Sequence, residues 1–128
     1  MKREIVQTAD APAAIGPYSQ AVRTGLVVFL SGQIGIDPAT QQLVEGGFEA
    51  QARQALENLA AVARAAGGAL GDAVKFSLFL TDLANFPLAN RLMEEMLSPP
   101  FPARATVGVA ALPRGALFEV DAILVLPS

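Results

Sequence analysis

Phe48-Glu49-Ala50-Gln51-Ala52-Arg53-Gln54-Ala55-Leu56-Glu57-Asn58-Leu59-Ala60-Ala61-Val62-Ala63-Arg64-Ala65-Ala66 runs into Gly67-Gly68 and, a few residues on, into Val74-Lys75-Phe76-Ser77-Leu78-Phe79-Leu80-Thr81. In the first run Ala52, Ala55, Leu56, Leu59, Val62, Ala63 and Ala66 recur at three- and four-residue spacing, while Glu49, Arg53, Glu57 and Arg64 fall elsewhere. That is the period of a helix with one buried stripe. The glycine pair that follows is a helix stop. The second run is dense in β-favouring residues and too short for a free-standing helix, so it reads as a buried strand.

The remaining elements follow on either side. Downstream, a helix is expected from Phe86 to Leu97, with Asn85 as N-cap and Pro87 in the first turn, where its missing N–H is not needed. Ser98-Pro99-Pro100 ends it, and strands Arg104 to Ala111 and Leu117 to Leu126 close the chain around the turn Leu112-Pro113-Arg114-Gly115. Upstream, Tyr18 to Gly25 and Leu26 to Gln33 read as a hairpin whose turn has Gly25 for positive φ. Glu4 to Thr8 adds a first strand, and residues 34–47 read as a loop punctuated by Asp37-Pro38 and Gly46-Gly47. The order β-β-α-β-α-β-β, with Glu4 to Thr8 as an extra strand ahead of it, defines one α+β domain spanning residues 1–128, a mixed sheet with two helices on one face. The other face then meets solvent or a partner.

Composition favours the partner. Hydrophobic residues make up 52% of the 128, and the mean hydropathy is +0.42. The longest purely apolar runs, such as Leu26 to Leu30, fall far short of the roughly 20 residues a membrane span needs. Apolar surface on so small a chain is expected to be covered by other copies of it. The Met1-Lys2-Arg3-Glu4 start has no apolar stretch of a signal peptide, and with no cysteine a cytoplasmic location is expected. A formal charge of −3, with basic residues scattered among acidic ones, disfavours nucleic acid as a partner.

With neither histidine nor cysteine, the chain has no imidazole base, no thiol nucleophile and no ordinary zinc ligand set, so no metal or cofactor is expected. Chemistry falls to carboxylates, arginines, lysines, hydroxyls and the backbone. Arg104, opening an apolar strand after Phe101-Pro102-Ala103, suits bidentate grip on a small carboxylate. A structural salt bridge is the commoner use of such a residue. By alternation Thr106 shares its face. Glu119 and Asp121 lie on one face of the last strand, where a carboxylate can hold or deprotonate a water. A solvated strand end, or pairing with Arg104, is the commoner explanation of such a pattern. Gly32, after Ser31, permits close approach to the backbone, although a plain strand exit is as common. Tyr18, the sole tyrosine, follows Gly16-Pro17 and could face a pocket, although a turn with a half-buried aromatic is the commoner outcome. Lys75 reads as a surface lysine rather than a Schiff-base former.

One by one these residues identify nothing, but their order does. Ala11-Pro12-Ala13-Ala14-Ile15-Gly16-Pro17-Tyr18-Ser19-Gln20-Ala21, Ser31-Gly32-Gln33-Ile34, Gln51 to Leu59, Val74-Lys75, Phe79 to Leu83, Phe86 with Asn90, Phe101 to Val107, Leu112-Pro113 and Phe118-Glu119-Val120 together resemble the Rid (YjgF-type) family along essentially the whole chain. The resemblance implies a chorismate-mutase-like fold, a homotrimer with clefts between subunits, and hydrolysis of 2-imino acids to 2-keto acids and ammonia without a cofactor. It assigns Arg104 to the substrate carboxylate and Glu119 to the attacking water, and places Tyr18, Ser31, Gly32, Asn90 and Thr106 along the cleft. Thr106 stands where many relatives carry cysteine. The segment between Asn90 and Arg104 is shorter than in the family, with Met93, Met96 and Leu97 in place of aromatics, which bears on substrate preference. A non-catalytic trimer binding small carboxylates or a protein partner is the alternative. A ribonuclease role, attached to some relatives, is disfavoured by the missing histidines.

Overall fold

Eight strands and two helices alternate along the chain, and six of the strands share one sheet in the order β1-β2-β3-β8-β6-β7. The computed structural model describes residues 2–128. The strands are β1 (Arg3–Val6), β2 (Ala21–Thr24), β3 (Val27–Gln33), β4 (Ile36–Asp37), β5 (Gln42–Leu43), β6 (Ala73–Leu80), β7 (Ala103–Gly108) and β8 (Phe118–Val125). The helices are α1 (Gly47–Ala65) and α2 (Phe86–Met96). Neighbours in the six-stranded sheet are antiparallel except β6 and β7, which run parallel and are joined through α2, as a parallel pair requires a crossover. β8, late in the chain, lies between β3 and β6.

The core is where the periodicities put it. α1 buries Ala52, Ala55, Leu56, Leu59 and Val62 against the sheet. From the sheet come Val28, Leu30, Phe76, Leu78, Leu80, Phe118, Val120 and Leu124. Each such leucine or phenylalanine contributes about 1.5–3 kcal/mol of transfer free energy. α1 ends as its glycines suggest: Gly67 has φ 97, and the N–H groups of Gly67 and Gly68 donate to Arg64 and Ala63 carbonyls at 3.0 Å each. Gly35 permits a close crossing, since a Cβ there would stand 2.6 Å from the Cα of Gln51. Buried Asn58 then donates to the carbonyls of Ile34 (3.2 Å) and Ile36 (2.8 Å), fixing the chain just past β3.

The far face of the sheet is uncovered. Ile5, Phe29, Val107 and Val125 stand 44–61% exposed on it, with Lys75, Ser77, Glu119, Asp121 and Ile123 between them. No helix among the described residues is long and apolar enough to cross a membrane.

Four expectations need correction. The hairpin's first strand starts at Ala21, not Tyr18. Pro17 has no N–H for a ladder, and the Tyr18 N–H turns back to the Gly16 carbonyl at 2.9 Å. Asn85 does not cap α2 with its side chain. A 3₁₀ turn at Leu83–Asn85 leads into the helix instead, capped by the Asp82 carboxylate accepting from the Ala84 N–H at 2.9 Å. Residues 34–47 contain the small β4–β5 hairpin. Finally, β7 stops at Gly108 and is an exposed edge strand, so Arg104 is not sunk in apolar surroundings.

Candidate active site

Arg104 pairs in register with Phe76, and Thr106 with Leu78. Phe76 and Leu78 are core residues, and paired residues in a sheet point the same way. Arg104 and Thr106 therefore lie on the helix-bearing face, at its edge. The guanidinium sits 5.5 Å from the centre of the Phe86 ring at the start of α2, a cation–π contact. Arg104 forms no ion pair within the chain among the described residues. It lines a hollow of about 460 Å³ with Asn90, Met93, Leu97, Phe101 and the carboxylate-bearing Glu94, with which it forms no ion pair. On the same face Thr106 Oγ1 is shut off from solvent and has no hydrogen-bond partner.

Glu119 pairs with Phe79, and Phe79 with Val107, which places its carboxylate on the open face, opposite Arg104. It is therefore not the partner of Arg104 within one chain. The carboxylate rests over Gly32: a Cβ at that position would lie 3.0 Å from the Glu119 carboxyl carbon. Burial first, and the charge of Asp121 second, raise its pKa above the ordinary value of 4.5. Asp121 is raised by burial too, with the Ser77 hydroxyl and Lys75 pulling it back. Glu119 borders a second hollow, of about 320 Å³, with Tyr18, Gly32, Ile15, Gln41 and Arg114. Ser31 acts from behind: its hydroxyl donates to the Ser19 carbonyl, bracing the loop that presents Tyr18. Gln20 braces that loop from its other end, its amide bonding Thr8 and Pro12.

The residues singled out from sequence thus form two groups. Arg104, Asn90 and Thr106 belong to the helix-side edge, and Glu119, Tyr18 and Gly32, backed by Ser31, to the other. Gln51 was missed; its side-chain oxygen accepts from the Leu117 N–H at 2.8 Å and sets the entry into β8 two residues before Glu119. Arg114 was read only as part of a turn, since no local pattern tells a pocket arginine from a surface one.

The family model described as Endoribonuclease L-PSP matches residues 8–126. The chain belongs to this family, also called YjgF/Rid. A Rid relative from Dermatophagoides farinae, named 2-iminobutanoate/2-iminopropanoate deaminase, is 45% identical over 124 residues, covering 97% of each chain. Among solved Rid structures, RidA from the Antarctic bacterium Psychrobacter sp. PAMC 21119 superposes with a TM-score of 0.93 at 52% identity, over 96% of this chain and 99% of that one. E. coli TdcF with bound serine superposes with a TM-score of 0.88 at 40% identity, over 97% and 99%. The α+β architecture is thus that of Rid structures.

Proposed function

We propose that this protein is a hydrolytic deaminase converting 2-imino acids to 2-keto acids and ammonia, in clefts between the copies of a cytoplasmic homotrimer. The observation that carries the reading is the division of the site. Arg104 is an arginine with no acidic partner on one face, Glu119 is a carboxylate of raised pKa on the other, and neither group of residues is a complete site alone. Joining one face of a copy to the opposite face of the next is a head-to-tail contact, which closes into a ring of three when successive copies are related by a third of a turn. The exposed Phe29, Val107 and Val125 supply apolar surface for it. The activity named for the mite relative supports the reading. So does serine bound to TdcF, since serine has the carboxylate and α-nitrogen of a 2-imino acid.

The chemistry follows from the groups available. The substrate carboxylate docks on Arg104, whose planar fork can hold both oxygens. Asn90 offers a polar contact on the same side, with Thr106 next to Arg104 on the same strand face. Glu119 of the neighbouring copy takes a proton from water as the water oxygen bonds to the imine carbon. The C=N π electrons move to nitrogen, which takes that proton back from Glu119. The adduct then collapses: the hydroxyl proton passes to nitrogen, the C–N bond breaks, and ammonia leaves the keto acid. A raised pKa makes Glu119 a stronger proton acceptor, and a well-placed base is worth roughly 10²–10⁴ in rate.

The test is complementation. 2-Iminopropanoate is generated in situ, and its decay is followed with the parent, Arg104→Lys, Glu119→Gln, and the two variants unfolded and refolded together. Each variant alone is expected to be nearly inactive. The co-refolded mixture should recover about one quarter of parental activity, because a cleft is intact when one copy supplies Arg104 and its neighbour Glu119. A parent that binds pyruvate without accelerating imine decay would favour the binding module. Absence of recovery in the mixture would refute the shared site.

A further inference from the structure

Among the described residues only two non-glycine residues have positive φ: Gln41 (φ 60) and Arg114 (φ 62). They lie 73 positions apart in sequence and meet, Arg114 Nη2 donating to the Gln41 carbonyl at 3.3 Å. Both line the hollow that holds Glu119 and Tyr18. Left-handed backbone at non-glycine residues is costly and gathers at functional sites. Gly115 beside Arg114 would take that conformation at no such cost and indeed has φ 71.

Arg114 is the one cation lining this hollow. It has no acidic partner among the described residues, and that single backbone carbonyl engages one of its five N–H donors. Ile15, Ile36 and Pro113 line the hollow with it, and its guanidinium is exposed and open to a ligand. The substrate's 2-carboxylate is already assigned to Arg104, on the opposite face.

We propose that Arg114 is a specificity-determining residue that binds a second carboxylate, at the end of the substrate side chain, so that imines of amino dicarboxylic acids are the preferred class. The inference rests on the deaminase reading. Once two copies close a cleft, Arg104 of one and Arg114 of the other grip the two ends of the substrate, and the imine carbon lies between them within reach of the water on Glu119. Repulsion from Glu119 directs the side-chain carboxylate to Arg114.

The test compares kcat/KM for the imines of aspartate and alanine, each generated in situ by an amino-acid oxidase, in the parent, Arg114→Met and Arg114→Lys. The parent should favour the aspartate imine. Arg114→Met keeps the apolar stem and removes the charge, and should lower the aspartate-to-alanine ratio of kcat/KM by about 10–100-fold, chiefly through KM. Arg114→Lys should restore part of that ratio, which a merely structural role of the turn would not do. A parent without preference for the aspartate imine, or a ratio unchanged in Arg114→Met, overturns the proposal while leaving the deaminase reading intact. A parent inactive on both imines overturns both.

Discussion

Alanine at Gly32 separates activity from folding. Gly32 has no positive φ, so alanine is not strained there, and the loss of unfolded-state freedom favours folding by about 0.4–1 kcal/mol. Against this stands one collision, with the carboxylate end of Glu119. That end is flexible and half-exposed, and swinging it aside costs about 0.5–1.5 kcal/mol in rotamer energy. The two effects nearly cancel, and the melting temperature should move by no more than about 4 °C in either direction. The rate should not escape so lightly, because the displaced carboxylate is the proposed base; a loss of about 10²-fold or more in kcat is expected. Thermal melts followed by circular dichroism, with decay of 2-iminopropanoate on the same preparations, measure both. Parental activity in Gly32→Ala would refute the role given to the Glu119 position, and a collapse of the melt would refute the cheapness of the collision.

Arg104→Lys keeps the charge but loses the fork and should cut kcat/KM by about 10²-fold without lowering the melting temperature, since β7 is an exposed edge. The acid limb of the kcat/KM–pH profile should lie above the ordinary glutamate range, because Glu119 must be ionised to accept a proton and its pKa is raised. Asp121→Asn removes the like charge that contributes to that shift, so the limb should move to lower pH. A folded-state carboxylate pKa above the unfolded one means that stability falls as pH rises through the interval between them, so Glu119→Gln should raise the melting temperature at pH 7. Asn58→Leu leaves the Ile34 and Ile36 carbonyls without their donor and should destabilise the fold by about 2–4 kcal/mol, read from urea denaturation.

What could be read ahead of the structure was what local chemistry decides. α1 came out within one residue at each end, because its apolar stripe and glycine stop are written in consecutive turns. β8 did so too, since Phe118 to Val125 alternate strictly between buried and half-exposed. Alternation also placed Thr106 beside Arg104 and Asp121 beside Glu119. It could not relate the two pairs, because that depends on parallel pairing of β7 with β6 and antiparallel pairing of β6 with β8. Tyr18 was misplaced because an aromatic near a strand looks like its first residue until the proline before it is weighed. Asn85 lost the capping role to Asp82 because the 3₁₀ turn moved the entry three residues upstream. The meeting of Gln41 and Arg114 is long-range and had no local signature at all.

The place of β8 in the sheet bears on how the chain is made. Synthesised from the N-terminus, β1–β3 and then β6–β7 emerge before the strand that joins them exists. β3 and β6 each present an unpaired edge, with Val28, Leu30, Phe76 and Leu78 beside it, until Phe118–Val125 arrives between them. At about 5–20 residues per second, the wait from the end of β6 to the end of β8 lasts several seconds. Throughout that time the exposed edges of β3 and β6 are where aggregation would begin.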